Sequence, residues 1–208
     1  GAPLARAFPD DIDIIKNTRG GVSFRYKGGE YFVSIPGRHQ ARNAALALEA
    51  VSRLDIGGCF GCCARDGLST VRWPCRMELL PGLPVIMDVT HTRAGSEDLA
   101  HDIAEIYGKV TVVFGALGDK DIEHIAGNLS TIAKRMIVTS PCSERAAPLE
   151  DVARIVRRHT ADAETAPDVG RAIEMALEGR GDEMILVTGS FYMAGDALRW
   201  LRRTFAGF

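Results

Sequence analysis

The second half of the chain alternates between short apolar segments and longer helical ones, and this alternation limits the possible folds more than any other feature. Strands are predicted near residues 85–87, 110–114, 136–138 and 184–187, with a further short strand near 163–165. Helices are predicted between them near residues 96–107, 121–133, 149–159 and 169–178, and a last one over 193–205. Segments that alternate in this way form a mostly parallel sheet, because right-handed crossovers place the helices against its two faces. The sequence therefore predicts an α/β fold.

Polar side chains follow these strands at the points where they end. Four of them are spread over three strand ends: Asp88, His91, Lys120 and Ser190. Because the carboxyl ends of parallel strands share one edge of a Rossmann-like sheet, these side chains are expected to line one crevice. Taken singly, Ser190 could be an ordinary helix cap and Lys120 part of a solvated loop. Taken together, they predict a binding site.

The first part of the chain has a different pattern. Residues 21–35 alternate between apolar and polar side chains around a Gly-Gly turn, which predicts a β-hairpin. The Ala- and Leu-rich residues 44–51 predict a helix. His39, Gln40 and Asn43 fall on its first turn, where free backbone N–H groups favour polar or anionic ligands. Local capping by His39 and Asn43 explains these residues equally well.

Charge and hydropathy exclude several classes of protein. The 25 Lys and Arg residues against 27 Asp and Glu give a formal net charge of -2, without the basic stripe of nucleic-acid-binding proteins. No apolar run approaches the roughly 18 residues that span a bilayer. The start of the chain, Gly1-Ala-Pro-Leu4, lacks the features of a signal peptide. We therefore expect a cytoplasmic protein without a nucleic-acid or membrane partner.

The chain contains neither a familiar metal motif nor a familiar nucleotide motif. Cys59 and Cys62 have the Cys-x-x-Cys spacing of a zinc site, but no second pair follows at a finger-like distance. Thiols on a short helix are therefore favoured, and no metal site is predicted. Gly-x-x-x-x-Gly-Lys-Ser/Thr and Gly-x-Gly-x-x-Gly are both absent from the sequence. Phosphates of a nucleotide must then be held outside this chain or by a less familiar loop.

Five short motifs occur along the chain in a fixed order. They are Pro36-Gly-Arg-His-Gln-Ala-Arg-Asn43-Ala-Ala-Leu-Ala47, Arg72-Trp-Pro-Cys-Arg76-Met-Glu78, Asp88-Val-Thr-His91, Gly115-Ala-Leu-Gly-Asp119-Lys-Asp121 and Thr188-Gly-Ser-Phe-Tyr192. In this order and spacing the chain resembles the folylpolyglutamate synthase/dihydrofolate synthase branch of the Mur ligase superfamily. The resemblance implies that the hairpin and helix in residues 1–56 end a central ATPase domain and that residues 57–71 are a connection. Residues 72–208 would then form the C-terminal, glutamate-binding domain, with a Rossmann-like sheet covered by helices on both faces.

The resemblance also implies a reaction. In such ligases ATP phosphorylates a pterin-linked carboxylate, and the amino group of L-glutamate attacks the acyl phosphate to form an amide. The implied cofactors are ATP and Mg²⁺, with the phosphate loop and the Mg²⁺ ligands expected in an N-terminal part that this chain lacks. The implied partners are small molecules: a folate or related pterin, L-glutamate and ATP. We expect the full-length protein to be a monomer and this chain alone to be inactive.

The motifs imply roles for particular residues. Asn43 would contact the adenosine part of ATP, Arg76 its phosphates, and Asp88 the nucleotide from the C-terminal side. Arg76 suits this role because a guanidinium is always charged and can bind phosphate oxygens in a bidentate way.

Three further residues are implied to face the glutamate. Lys120 would be the counter-ion of a carboxylate, Ser190 a donor at the start of a helix, and His91 a neighbour of the acyl phosphate. His91 and Lys120 are therefore the catalytic candidates.

The chain departs from the family pattern at two places. Cys75 stands where the family usually has Gly, and Thr92-Arg93 follows the His where the family usually has Asn-Pro. Arg93 adds a positive charge on the substrate side. Two alternatives therefore stay open: a non-catalytic Rossmann-like binding or regulatory module, and a Mur-like amino-acid ligase with a different acceptor.

Overall fold

The computed structural model describes residues 9–54, 60–179 and 181–205. The chain folds into two compact units, Gly1–Pro74 (unit 1) and Cys75–Phe208 (unit 2). The predicted domain boundaries at residues 56 and 71 stay predictions. No described helix has both the length and the apolar character needed to cross a membrane. The Cys-x-x-Cys spacing at Cys59 and Cys62 lies outside the described side chains.

Unit 1 is a three-stranded antiparallel sheet with two helices. After a short 3-10 helix, Pro9–Asp11, its elements are β1 (Ile12–Thr18), β2 (Gly21–Tyr26), β3 (Gly29–Val33), α1 (Arg38–Val51) and α2 (Phe60–Thr70), with the strands in the order β1-β2-β3. The predicted hairpin is β2 with β3, and the predicted helix is α1. The sequence did not predict β1. A register shift between Ile14 and Lys16 interrupts the pairing of β1 with β2, and this irregularity hides its alternation in the sequence.

The core of unit 1 lies between the sheet and α1. Val22 and Phe24 of β2 are fully buried, as are Ala41 and Ala45 on the facing side of α1. Small alanine side chains let the helix approach the sheet closely, so that the larger apolar groups of β2 fill the space between them. The predicted connection contains α2, whose Leu68 carbonyl oxygen accepts the backbone N–H of Ser34 at 3.1 Å, just after β3.

Unit 2 has the predicted alternation of strands and helices. Its elements are β4 (Glu78–Leu79), β5 (Val85–Met87), α3 (Arg93–Tyr107), β6 (Val110–Phe114), α4 (Ile122–Ser130), β7 (Ala133–Val138), α5 (Leu149–Val156), β8 (Ala163–Thr165), α6 (Val169–Glu178), β9 (Ile185–Thr188) and α7 (Phe191–Thr204). The strand order is β4-β5-β9-β6-β7-β8, and among the described strands of this sheet only β4 runs antiparallel to its neighbour. The predicted fold class is therefore confirmed. The two-residue strand β4 is too short to give a sequence pattern.

Two apolar cores cover the two faces of this sheet. Val112 and Phe114 of β6 point to the face covered by α3, α4 and α5, whereas Val113 points to the face covered by α6 and α7. All three side chains are fully buried. Burial on both faces explains why the strands of unit 2 are continuous apolar runs rather than alternating ones.

Candidate active site

The carboxyl ends of three neighbouring strands in unit 2 carry most of the predicted site residues. β5, β9 and β6 lie side by side and run parallel. Asp88 and His91 follow β5, Ser190 follows β9 and Lys120 follows β6. The prediction that these strand ends share one edge is confirmed, while the roles of the individual side chains stay predictions.

Two glycines allow the ends of β9 and β6 to approach each other. Gly189 has a φ of 122°, and a Cβ on it would lie 2.0 Å from the carbonyl oxygen of Gly115. A Cβ on Gly115 would in turn lie 2.6 Å from the carbonyl oxygen of Thr139. Neither position has room for a side chain, so both loops can leave the sheet in close contact. This brings the Ser190 and Lys120 segments to neighbouring positions.

Asp88 is buried at the end of β5. Asp88 is 2% exposed. Its Oδ2 accepts the backbone N–H of Met77 at 3.0 Å, and its Oδ1 accepts the backbone N–H of Thr90 at 2.7 Å. Burial raises the pKa of the Asp88 carboxyl above its ordinary value, and the hydrogen bonds from Thr90 and Met77 and the charge of Arg76 oppose this rise. The carboxylate therefore links the strand end to a preceding loop.

That loop, residues 75–77, carries Arg76, and we call it the arginine loop. Cys75 has a φ of 59° and Met77 a φ of 47°, the left-handed region that costs a residue with a side chain about 1–2 kcal/mol. Glycine would adopt this conformation without strain, whereas Cys75 adopts it with its side chain buried. Within the described ranges, no hydrogen bond or ion pair engages the Arg76 guanidinium. Its donors are therefore available for an anion.

His91 is half-buried and held by its own turn. Its Nδ1 lies 2.9 Å from the carbonyl oxygen of Val89. Because a carbonyl oxygen can only accept, Nδ1 is the donor in this contact, which leaves Nε2 to face other groups. The ring centroid of His91 lies 6.1 Å from that of Phe191 at the start of α7. His91 therefore has an apolar neighbour that its polar sequence context did not indicate.

Lys120 belongs to a small ionic cluster after β6. Its Nζ lies 2.9 Å from Oδ2 of Asp119, and Nη2 of Arg145 lies 3.0 Å from the same oxygen. The hydrogen bond from Lys120 lowers the pKa of the Asp119 carboxyl below its ordinary value. Two cations share one carboxylate here, so the cluster has a net positive charge and spare N–H donors. It can attract a carboxylate ligand.

Helix starts surround the same edge. Ser190 is 2% exposed and caps α7, since its Oγ accepts the backbone N–H of Met193 at 3.1 Å. Thr92 caps α3, since its Oγ1 accepts the backbone N–H of Gly95 at 3.1 Å. Thr and Asn are both good N-cap residues, so Thr92 provides the cap that an Asn at this position would also provide. Arg93 then takes the first helical position, where the family usually has Pro.

Asn43 lies in unit 1, on an exposed position in the first two turns of α1. Its side-chain amide donates to Oε1 of Gln40 at 3.0 Å, and Nε2 of Gln40 lies 2.8 Å from Nε2 of His39. No side-chain oxygen caps the start of α1 at Gly37. The three polar residues therefore form a local hydrogen-bonded network near the start of α1.

Comparison with known proteins decides the family. Residues 75–191 match the family described as Mur ligase, glutamate ligase domain. The chain belongs to this family. The matched residues begin at the arginine loop and end at Phe191, so they contain every predicted site residue of unit 2.

Named Mur ligase relatives are similar over most of the chain. A dihydrofolate synthase/folylpolyglutamate synthase of Bacillus subtilis is 32% identical over 178 residues, which are 81% of this chain and 40% of that protein. A probable bifunctional folylpolyglutamate synthase/dihydropteroate synthase of Halobacterium salinarum is 33% identical over 181 residues, 84% of this chain and 22% of that protein. The Mycobacterium tuberculosis folylpolyglutamate synthase, solved in complex with ADP and AMPPCP, superposes with a TM-score of 0.79 at 28% identity. The match covers 94% of this chain and 49% of that one.

Three neighbours of the site were not predicted from the sequence. Phe191 was missed because one exposed aromatic residue has no periodic signal, although an aromatic residue directly after a helix cap is a hint. Arg145 was missed because it comes 25 residues after Lys120 in the sequence. The isolated β-bridge between Leu117 and Ala146 places Arg145 beside Asp119. Met77 was missed because it contacts Asp88 through its backbone N–H, and a sequence pattern does not show which backbone groups bind a side chain.

Proposed function

We propose that the protein containing this Mur ligase chain is an ATP-dependent ligase that adds L-glutamate to a folate or related pterin through an acyl phosphate. The observation that carries the proposal is that the matched glutamate ligase domain presents His91, Lys120 and Ser190 at three adjacent strand ends. The chain spans about 40% of the length of the Bacillus subtilis relative, so the proposal concerns the whole protein.

The nucleotide half of the site is proposed to use Asn43, Arg76 and Asp88. The Arg76 guanidinium fits a phosphate group because its N–H donors are unengaged within the described residues and its charge is permanent. Asn43 fits a polar group of the adenosine, because its exposed side-chain amide offers a donor and an acceptor near the start of α1. When bound, ATP supplies the phosphoryl group that activates the acceptor carboxylate.

A Mg²⁺ ion beside ATP is proposed to take its ligands from outside the described residues. Within the described ranges, the group able to hold a metal is His101, Asp102 and Glu105. These residues lie in the second half of α3, two or more turns beyond the strand end that carries Asp88. This group therefore does not fit a metal that would act beside ATP at the strand ends.

The glutamate half is proposed to use His91, Lys120 and Ser190. The net positive cluster around Lys120 offers N–H donors to a substrate carboxylate, and Nε2 of His91 is the acceptor available for a proton of the attacking amino group. Ser190 shapes the start of α7, where its hydroxyl accepts a backbone N–H and retains its own hydrogen for donation.

The proposed function is tested with the whole protein, ATP, L-glutamate and a panel of pterin and non-pterin acceptors. Mass spectrometry of the products should show glutamate added to a pterin acceptor, in step with ADP release. Glutamate added to a non-pterin acceptor would support a Mur-like ligase of other specificity. Absence of any product, with ATP and glutamate bound, would contradict the ligase and support a binding or regulatory module.

A further inference from the structure

The carboxylate of Asp88 lies between two segments that carry candidate site residues. Asp88 is 2% exposed, and each of its oxygens accepts one backbone N–H: that of Met77 at 3.0 Å and that of Thr90 at 2.7 Å. A buried carboxylate that accepts two backbone N–H groups fixes the position of the backbone segments that donate them. Little of its surface is left for direct contact with a ligand.

The Met77 amide belongs to the arginine loop. Arg76 stands between Cys75 and Met77, both in the left-handed region, and such a conformation persists only where the surrounding contacts impose it. One of these contacts is Asp88 to Met77. A second is Oε2 of Glu78, which accepts the backbone N–H of Cys75 at 2.8 Å. The direction of the Arg76 side chain therefore depends on two carboxylates that hold its neighbours.

The Thr90 amide belongs to the turn that leads to His91. The hydrogen bond from Thr90 to Asp88 closes a turn of the kind that Asp side chains form with the backbone two residues on. Val89 lies between Asp88 and Thr90 in the sequence. Its backbone N–H donates to the carbonyl oxygen of Cys75 at 3.1 Å, and its carbonyl oxygen lies 2.9 Å from Nδ1 of His91. One short segment thus connects the arginine loop to the His91 ring.

We propose that Asp88 is a positioning residue whose buried carboxylate holds the arginine loop and the His91 turn in a fixed relation, so that Arg76 and His91 act on one substrate. The inference rests on the proposed ligase function, because it assigns the substrate to that site. It adds to the proposed place of Asp88 in the nucleotide half of the site, because the same carboxylate would also act through Arg76.

A double-mutant cycle in the ligase containing this chain tests the proposal. Arg76→Gln removes the guanidinium, whereas Asp88→Asn keeps the shape of the side chain and turns an amide NH₂ toward one of the two N–H donors. Misplacing a group in the site can lower the rate about 100-fold, so each single variant should lower kcat/KM for ATP about 100-fold. If Asp88 acts through Arg76, the double variant should fall within about 3-fold of Arg76→Gln. Losses that multiply would overturn the proposal.

Two further variants separate positioning from loss of fold. Glu183→Gln changes a carboxylate that is 9% exposed at the opposite edge of the sheet, where it pairs with Lys134. Because this variant loses the ion pair, it should lower the Tm, and it should leave kcat/KM for ATP within about 2-fold of the wild-type value. Glu78→Gln loosens the arginine loop from its other side and keeps Asp88. It should lower kcat/KM for ATP about tenfold; an unchanged value would contradict control of Arg76 by its loop, even if Asp88→Asn fails to fold.

The outcome for the wild-type ligase distinguishes the two proposals. If the wild-type protein forms no glutamate product, the proposed function fails. If it forms product and the Asp88→Asn and Arg76→Gln losses multiply, only the positioning role fails.

Discussion

At the scale of single residues, the departures from the family pattern are explained by local backbone chemistry. Thr92 replaces one N-cap residue by another, because its Oγ1 accepts the backbone N–H of Gly95. Cys75 occupies a left-handed position that a glycine would occupy without strain, and it remains buried at 6% exposure. Both changes preserve the local structure that carries Arg76 and His91, so neither by itself indicates loss of activity.

Lys120 is the residue whose charge is proposed to meet the substrate carboxylate. If the proposed ligase function holds, Lys120→Ala in the whole protein should raise the KM for glutamate about tenfold or more and leave the KM for ATP within about 2-fold, because one charge-assisted hydrogen bond is lost. Steady-state kinetics with each substrate varied in turn measures both values. Lys134→Ala, which removes a lysine at the amino end of β7, is the matched control and should change neither. An unchanged KM for glutamate would remove Lys120 from the site.

Gly189 is the residue on which the approach of two strand ends depends. Gly189→Ala should lower the free energy of unfolding by about 3 kcal/mol, since its Cβ would overlap the Gly115 carbonyl oxygen at an unfavourable φ. Gly195→Ala, at an open helical position of α7, should raise that free energy by about 0.5–1 kcal/mol. Urea denaturation of the chain measures both. A Gly189→Ala variant as stable as the wild type would disprove the close approach.

At the scale of elements, one carboxylate connects the hairpin of unit 1 to α1. Glu49 on α1 accepts the hydroxyl of Tyr26 at 2.9 Å and pairs with Lys27 and Arg53. The Lys27 hydrogen bond, followed by those of Arg53 and Tyr26, lowers the pKa of Glu49 from 4.5 to about 2. Because the folded pKa is the lower one, this stabilisation is present above pH 4.5 and is lost as the pH falls toward 2.

The pH dependence of unfolding tests that connection. Glu49→Gln should reduce the free energy of unfolding at pH 7, and the gap to the wild type should narrow between pH 4.5 and pH 2. Glu30→Gln is the matched control, because Glu30 is 65% exposed where it pairs with Arg25, and an exposed pair contributes little. Denaturation of the wild type and both variants at a series of pH values gives the comparison. A gap that does not change with pH would contradict the role of Glu49.

Elements also differ in how far their sequence reveals them. The strands of unit 2 were predicted because burial on both faces makes them continuous apolar runs, as in Val110–Phe114. β1 was missed because its pairing is irregular between Ile14 and Lys16, and β4 because it has two residues. The predicted helices begin within a few residues of their observed starts where a cap residue such as Asp168 or Ser190 marks them.

At the scale of the whole molecule, the sequence predicted which side chains come to one edge but not how they are held there. Parallel strands make the convergence of His91, Lys120 and Ser190 predictable from their places after strands. The backbone donors to Asp88 and the arrival of Arg145 at Asp119 depend on loop conformation over long sequence separations, which periodicity does not contain. The site was therefore predictable as a location and only partly as a network.

A crystal structure of the whole protein with a non-hydrolysable ATP analogue and L-glutamate tests the central claim most directly. We expect a glutamate carboxylate within hydrogen-bond distance of Lys120 Nζ, beside the β5, β9 and β6 strand ends, and the nucleotide phosphates at Arg76. Glutamate bound elsewhere, for instance at the groove that Arg199 and Trp200 line, would contradict the account.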